Sequence, residues 1–489
     1  MRLHQYGSYL PSLKPRWLGS VMPPLSRVQL EGPVVELLID LVHHGVVIGD
    51  PQLAAPVGGR WDSLALSQFR GRLGWIQERP ALFLDAAGDD FGTLYEAMAI
   101  RNKPVTIELS DGSQISAELA HMRNLAFGGE AHVELHHWAW NGTGDPLLWI
   151  GHLEGQVPPG GNLTVREQTR HRTRIRHDGF RLQGGYTWYL VRTSDAMTRT
   201  VVVDPGGLPM ERERVMRDFL CMQFCFGGPL RLDRLVGIDA QRQAVAALGL
   251  GTFLRQAGKH RAPVPDDIGE ADRWVPELFA VMTRKIHEEG LEPLLIAIAS
   301  YLDSETDHLD GGYLKGQVGL EAFAKRLLGS QPVELLIKDE VAWKKWVRTL
   351  RPIIRTHLAA QDAKAREDLG MVHDKFVKAM HAPTGGLVRK AFGQITLPKE
   401  ILDEIKLRNY PAHGFFMNAG RDHDLDRDVR RLEMVQTLLV ALVALHVGYE
   451  GQLKGYDVRD DGGRHPPSWW PSKDLDGDTA EQFIAERIR

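Results

Sequence analysis

Residues 398–414 read PKEILDEIKLRNYPAHG, and residues 428–449 read DVRRLEMVQTLLVALVALHVGY. Pro398 stands where a first helical turn tolerates proline, and Glu400, Asp403 and Glu404 suit the positive end of the helix it opens. Leu402, Ile405 and Leu407 anchor that helix, and Arg408 emerges in its last turn. Pro411 halts the helix, His413 follows, and Gly414 lets the chain turn. The second segment is a long helix whose Leu432, Val435, Leu438, Leu439, Leu442 and Leu445 pack back on the first. Arg408 and His413 are therefore expected on a short corner between two core helices.

Working back towards the N-terminus, the same helical texture extends to about residue 266. Helices are expected at 274–289, 291–303, 313–328, 339–360, 362–380 and 387–392. In 313–328 the apolar contributors are Leu314, Val318, Phe323 and Leu327; in 339–360 Trp343, Trp346 and Leu350 turn inward despite Pro352. Thr384-Gly385-Gly386 reads as a break. Glu321 could meet Arg408 from an earlier helix, although a solvated face is the commoner fate of such a residue.

Before residue 209 the texture is different. Short apolar runs at 34–41, 81–85, 105–109, 115–119, 131–135, 147–152, 188–192 and 200–203 are separated by Gly, Pro and Asp, the pattern of strands joined by turns. Asp111-Gly112 between two of them marks a hairpin. A helix at 210–226, with Val215, Phe219, Met222 and Phe226 on one face, ends at Gly227-Gly228-Pro229. A strand-like run, 230–237, and a Pro/Asp-rich linker, 259–270, follow it. The fold class is α+β and multidomain, a β-rich N-terminal domain of sandwich or curled-sheet type followed by an all-α bundle. The expected divisions are 1–208, a bridging helix and linker at 209–265, the helical domain at 266–455 and a tail at 456–489.

Composition bounds the function. With 489 residues, 43% hydrophobic and 25% charged, the chain is globular, and its net charge of −4 provides no global basic field for a polyanion. Its two cysteines, Cys221 and Cys225, offer neither a disulfide framework nor a zinc site and read as core thiols. The first residues, MRLHQYGS, lack the apolar core of a secretory signal, and no run of about 20 apolar residues spans a bilayer. A cytoplasmic protein without a membrane partner is expected.

The corner at 408–413 suggests a chemistry. RNA carries its own nucleophile, the 2′-hydroxyl, so cleavage needs a base or acid that titrates near neutrality and a fixed cation for the phosphate. His413 suits the first role and the Arg408 fork the second, with no metal or other cofactor required. One copy holds one such histidine, so separate acid and base imply a second copy across a twofold interface. Spacing alone is a poor guide, because Arg166/His171 and Arg172/His177 also have four residues between them. Asn409 and the Ala412-His413-Gly414 ending set the 408–413 pair apart.

Arg408, Asn409 and His413, with that ending, resemble the HEPN superfamily, whose ribonucleases carry an Arg-polar-spacer-His motif between two helices of a bundle. The resemblance implies an HEPN-type bundle, a homodimer or higher homo-oligomer with facing motifs, and metal-independent cleavage leaving 2′,3′-cyclic phosphate ends. It casts Arg408 as holding the phosphate, His413 as general acid or base, and Asn409 as orienting either. A β-rich half closing on the 219–230 helix and a helical half ending in this motif are similar to ApeA-like bacterial anti-phage proteins. That likeness implies abortive infection by cleavage of RNA, tRNA being one candidate, after a phage-derived activator is sensed. Where HEPN toxins silenced by AMP transfer carry a tyrosine, this chain has Phe415.

Other motifs have competing readings. Arg166, Arg170, Arg172, Arg174 and Arg176 could grip an RNA backbone, or could blunt the edge of a sheet. His136-His137 should point to opposite faces of a strand, which opposes joint metal ligation, while Trp138 and Trp140 read as core. The acidic run 422–428 reads as solvated, and Trp469-Trp470 as tucking the tail onto the body. Alternative functions are a non-catalytic HEPN-scaffold binding protein and an RNA-binding regulator.

Overall fold

The computed structural model describes residues 56–60, 69–76, 79–85, 103–108, 114–124, 130–142, 144–155, 157–158, 161–168, 173–192, 198–228, 230–239, 244–250, 262–265, 270–306, 309–328, 340–359, 384–393, 395–405, 425–456, 464–465 and 467–471. The chain divides into two compact units, Met1–Glu288 and Glu289–Arg489.

The first unit is built on an antiparallel 13-stranded sheet. Its first six strands are β1 (Pro56–Arg60), β2 (Phe69–Ile76), β3 (Arg79–Asp85), β4 (Lys103–Glu108), β5 (Gln114–Asn124) and β6 (Glu130–Asn141). They pair in a closed ring, β1-β2-β3-β6-β5-β4 and back to β1, so the expected curled sheet is here a small barrel by its pairing. The 105–119 hairpin is β4 with β5, Glu108 opposite Gln114.

Seven further strands extend the sheet from β6. They are β7 (Leu148–Glu154), β8 (Leu163–Gln168), β9 (Thr173–Gln183), β10 (Thr187–Arg192), β11 (Thr198–Asp204), β12 (Arg231–Ile238) and β13 (Ala244–Gly249). The order is β6-β13-β12-β7-β11-β10-β9-β8, with β8 at the edge. Five of the eight expected strands fall within observed ones, 105–109 and 147–152 overlap β4 and β7 in all but one residue each, and 34–41 lies outside the described residues. In β11, Val201, Val202 and Val203 are all fully buried, so that strand is covered on both faces and reads as a continuous apolar run.

Strand β6 serves both parts. Residues 130–134 pair with β3 and residues 139–141 with β13. Between these stretches Ser116 pairs with Ala139 and Glu118 with His136, leaving His137 and Trp138 opposite the single residue Ala117. This is a β-bulge, and His137 takes φ 53°, a left-handed value that costs a non-glycine residue about 1–3 kcal/mol. The bulge bends the strand where it changes neighbours.

Helix α1 (Arg212–Phe226) buries Val215, Phe219, Met222 and Phe226 as its spacing predicts, and Gly227 ends it with φ 69°. Helix α2 (Ala271–Glu289), grouped by spacing with the helical half, lies in the first unit up to Glu288. Its Trp274, Leu278, Phe279, Met282 and Ile286 are buried, and Met282 Sδ meets Cys225 Sγ of α1 at 3.9 Å.

The second unit holds α3 (Glu292–Thr306), α4 (Leu309–Leu328), α5 (Glu340–Ala359), α6 (Thr384–Ala391), α7 (Lys399–Ile405), α8 (Leu425–Val447) and a small pair, β14 (Gly455–Tyr456) with β15 (Arg464–His465). The helix expected at 362–380 lies outside the described residues. Thr384-Gly385-Gly386 is the first turn of α6 rather than a break.

On α4 the inward face differs from the one expected. Val318 is 54% exposed, whereas Tyr313, Gln317, Leu320, Phe323 and Ala324 are buried. The reason is a glycine stripe. A Cβ on Gly312 would stand 2.6 Å from the Ser304 carbonyl oxygen of α3, and one on Gly316 would stand 2.9 Å from Val435 Cγ1 of α8. Bare backbone at these positions lets the three helices approach closely, which shifts the contact face away from Val318. Trp346 is likewise 47% exposed, against the inward placement expected for it. Trp469 and Trp470 are buried as expected, with Trp470 Nε1 donating to the Gly451 carbonyl at 2.9 Å.

Candidate functional site

Arg408, Asn409 and His413 lie outside the described residues, and the site is approached through its flanks. On one side, α7 buries Ile401 fully, and Leu402 N donates to the Pro398 carbonyl at 3.2 Å, consistent with a proline-opened first turn. On the other, α8 begins at Leu425 and buries every residue from Met434 to Ala444. The two helices that should hold the corner are therefore present, and α7 packs on α8.

Several polar side chains are buried among α3, α4 and α8. Helix α3 runs antiparallel to α8 and α4 parallel to it, as the neighbours Ser304/Gln436, Gly312/Leu432 and Phe323/His446 show. Gln436 Nε2 donates to Ser304 Oγ at 3.0 Å, and Ser304 Oγ donates to the Tyr301 carbonyl at 2.7 Å. Gln317 Nε2 donates to Tyr313 Oη at 3.0 Å. Glu305 is buried as well, and Asp428, expected to be solvated, is 1% exposed and ion-paired with Arg431 at 3.3 Å. Buried polar groups are costly unless satisfied, and several of these bond one another between the helices. Glu321, also expected on a solvated face, is buried and pairs with Lys325 at 2.7 Å.

In the last turn of α8, His446 meets Glu289 at 3.4 Å and stacks edge-on against Phe323 at 5.7 Å.

Of the five arginines read as an RNA grip, Arg166 lies in β8 and Arg174 and Arg176 in β9; Arg170 and Arg172 lie outside the described residues. Arg166 is paired in register with Ile175, Arg174 with Glu167 and Arg176 with Val165. Strand β8, which carries Arg166, is the edge of the sheet, and β9, which carries Arg174 and Arg176, is its neighbour.

The first unit contains a polar centre that the sequence did not signal. Asp218 of α1 is fully buried, and its Oδ2 accepts from Trp188 Nε1 at 2.8 Å and from Tyr186 N at 3.1 Å. Its Oδ1 accepts from Gly185 N at 3.1 Å and faces His287 Nε2 of α2 at 3.4 Å. The Tyr186 hydroxyl donates to the Pro209 carbonyl and accepts from Glu211 N, and burial raises its pKa. This centre ties the β9–β10 turn to both helices. The only hint was one carboxylate on an otherwise apolar helix face.

Trp138 and Trp140 are core residues, and His137 pairs with Glu118 at 2.9 Å. Among the described residues, no group of three or more His, Cys, Asp or Glu is placed to hold a metal ion, and no helix is long and apolar enough to cross a membrane. Comparison of the chain with protein-family models, with curated proteins and with solved structures finds no match.

Proposed function

We propose that this protein is a metal-independent endoribonuclease of HEPN type, cytoplasmic and at least dimeric, that acts in anti-phage defence by abortive infection. Its substrate is RNA, with tRNA a candidate, and its trigger a phage-derived component. The observation that carries the reading is the Arg408-Asn409…Ala412-His413-Gly414 motif in the stretch of chain joining α7 to α8. The helices α7 and α8, which flank that stretch in the chain, support it, since a reactive corner needs rigid elements to hold it.

In this mechanism the 2′-oxygen attacks the adjacent phosphorus as a base removes its proton. The bond to the 5′-oxygen breaks as an acid returns a proton to it, and a 2′,3′-cyclic phosphate and a 5′-hydroxyl result. His413 performs one proton transfer and His413 of the second copy the other, while Arg408 stabilises the phosphorane charge and Asn409 orients His413.

The test is expression of the parent, His413→Ala and Arg408→Ala in bacteria challenged with phage. The parent should arrest growth and fragment RNA, and both variants should do neither while remaining folded dimers. Fragmentation by all three alike would refute the assignment. A dimer that never cuts RNA would favour a binding scaffold.

A further inference from the structure

Helix α5, EVAWKKWVRTLRPIIRTHLA, carries Lys344, Lys345, Arg348, Arg351 and Arg355 against the single carboxylate of Glu340. At helical spacing Trp346, Leu350 and Ile353 share one face, while Lys345 and Arg348 fall on the other. Of this stripe, Trp346 is 47% and Ile353 62% exposed, and Leu350 is half-buried. Lys345 and Arg348 are exposed as well. The hydroxyls of Thr349 and Thr356 donate to the Lys345 and Pro352 carbonyls at 3.0 Å, turning the polar groups beside the stripe onto the helix itself. Val341, also exposed, lies on the cationic side and outside the stripe.

We propose that α5 docks on an anionic phospholipid surface. It lies in the plane of the interface, with Trp346, Leu350 and Ile353 entering the headgroup boundary and Lys345 and Arg348 among the lipid phosphates. Charge complementarity and the apolar stripe together select this occupant. A basic helix with an aromatic and aliphatic opposite face is the pattern of surface-lying helices, which need no spanning segment. The expectation of no membrane partner rested only on the absence of such a segment. RNA would satisfy the cations and could stack on Trp346, but it would leave Ile353 and Leu350 in water, because neither has a ring to stack. The inference stands apart from the proposed RNA cleavage.

The test is flotation of the full-length protein with two kinds of vesicle, phosphatidylcholine alone and equal parts phosphatidylcholine and phosphatidylglycerol. Binding to the mixed vesicles should exceed that to the neutral ones by about tenfold or more and should weaken as salt is raised. Ile353→Ser and the pair Lys345→Glu/Arg348→Glu should each lower it several-fold with the thermal unfolding profile unchanged. Equal binding to both vesicles, salt-independent binding, or folded variants that float like the parent would overturn the proposal. So would charge reversal that abolishes binding of a single-stranded RNA while leaving flotation intact; that result reassigns the helix to nucleic acid.

Discussion

Gln436 of α8 donates a 3.0 Å hydrogen bond to Ser304 of α3, between residues 132 positions apart in the chain. Both side chains are buried, so the bond fixes the axial register of two helices whose remaining contacts are largely apolar and tolerant of sliding. Gln436 stands at the middle of α8, so the register it fixes is that of the helix as a whole.

Gln436→Leu should therefore weaken the second unit by about 1–2 kcal/mol, since Ser304 keeps its bond to Tyr301 but loses its donor. Urea unfolding of the variant checks this. An unchanged midpoint would show that the bond does not set the register.

Gly312→Ala should destabilise the protein although alanine favours helix by about 1 kcal/mol over glycine. The added methyl meets the Ser304 carbonyl, a backbone atom that moves only with its helix, and such overpacking costs about 1–3 kcal/mol. Thermal unfolding should show a lower midpoint. For contrast, Gly206, whose added Cβ would meet nothing within 4 Å, should show only the strain of its positive φ when changed to alanine.

Asp218→Ala leaves Trp188 Nε1, Tyr186 N and Gly185 N without their buried acceptor. A loss of about 3 kcal/mol or more is expected from three stranded donors. It should be read by urea unfolding together with near-ultraviolet dichroism, to which the buried Trp188 contributes. A loss below 1 kcal/mol would mean the donors find other partners.

Cys221 and Cys225 are fully buried, and burial pushes both thiols up, with neighbouring Cys225 and Asp218 acting in the same direction on Cys221. The folded state thus holds protons that the unfolded thiols release near pH 8.5. This contribution to stability is complete below that pH and falls as pH rises through and beyond it. Native protein at pH 8 should resist a thiol-specific disulfide reagent, and two thiols should react on unfolding.

Much of the fold was legible because local signals agreed with it. The α1 face of Val215, Phe219, Met222 and Phe226 is buried as its spacing predicts, and seven strands fall where short apolar runs end in turn residues. What escaped notice was set by long-range pairing. Closure of β1–β6 depends on β3 meeting β6, and the insertion of β12 and β13 between β7 and β6 leaves no local mark. On α4, apolar spacing pointed to Val318, whereas the glycines at 312, 316 and 319 decide which face is inward, a signal readable only when bare backbone is counted as a contact surface. The corner itself was read from residue identities, and only its two flanking helices are described.

The central claim is tested most directly by incubating purified protein with a defined RNA in excess chelator and determining the chemistry of the new ends. The account predicts fragments with 2′,3′-cyclic phosphate and 5′-hydroxyl ends from the parent, and none from His413→Ala. Fragments with 3′-hydroxyl ends, or the same cleavage by His413→Ala, would contradict it.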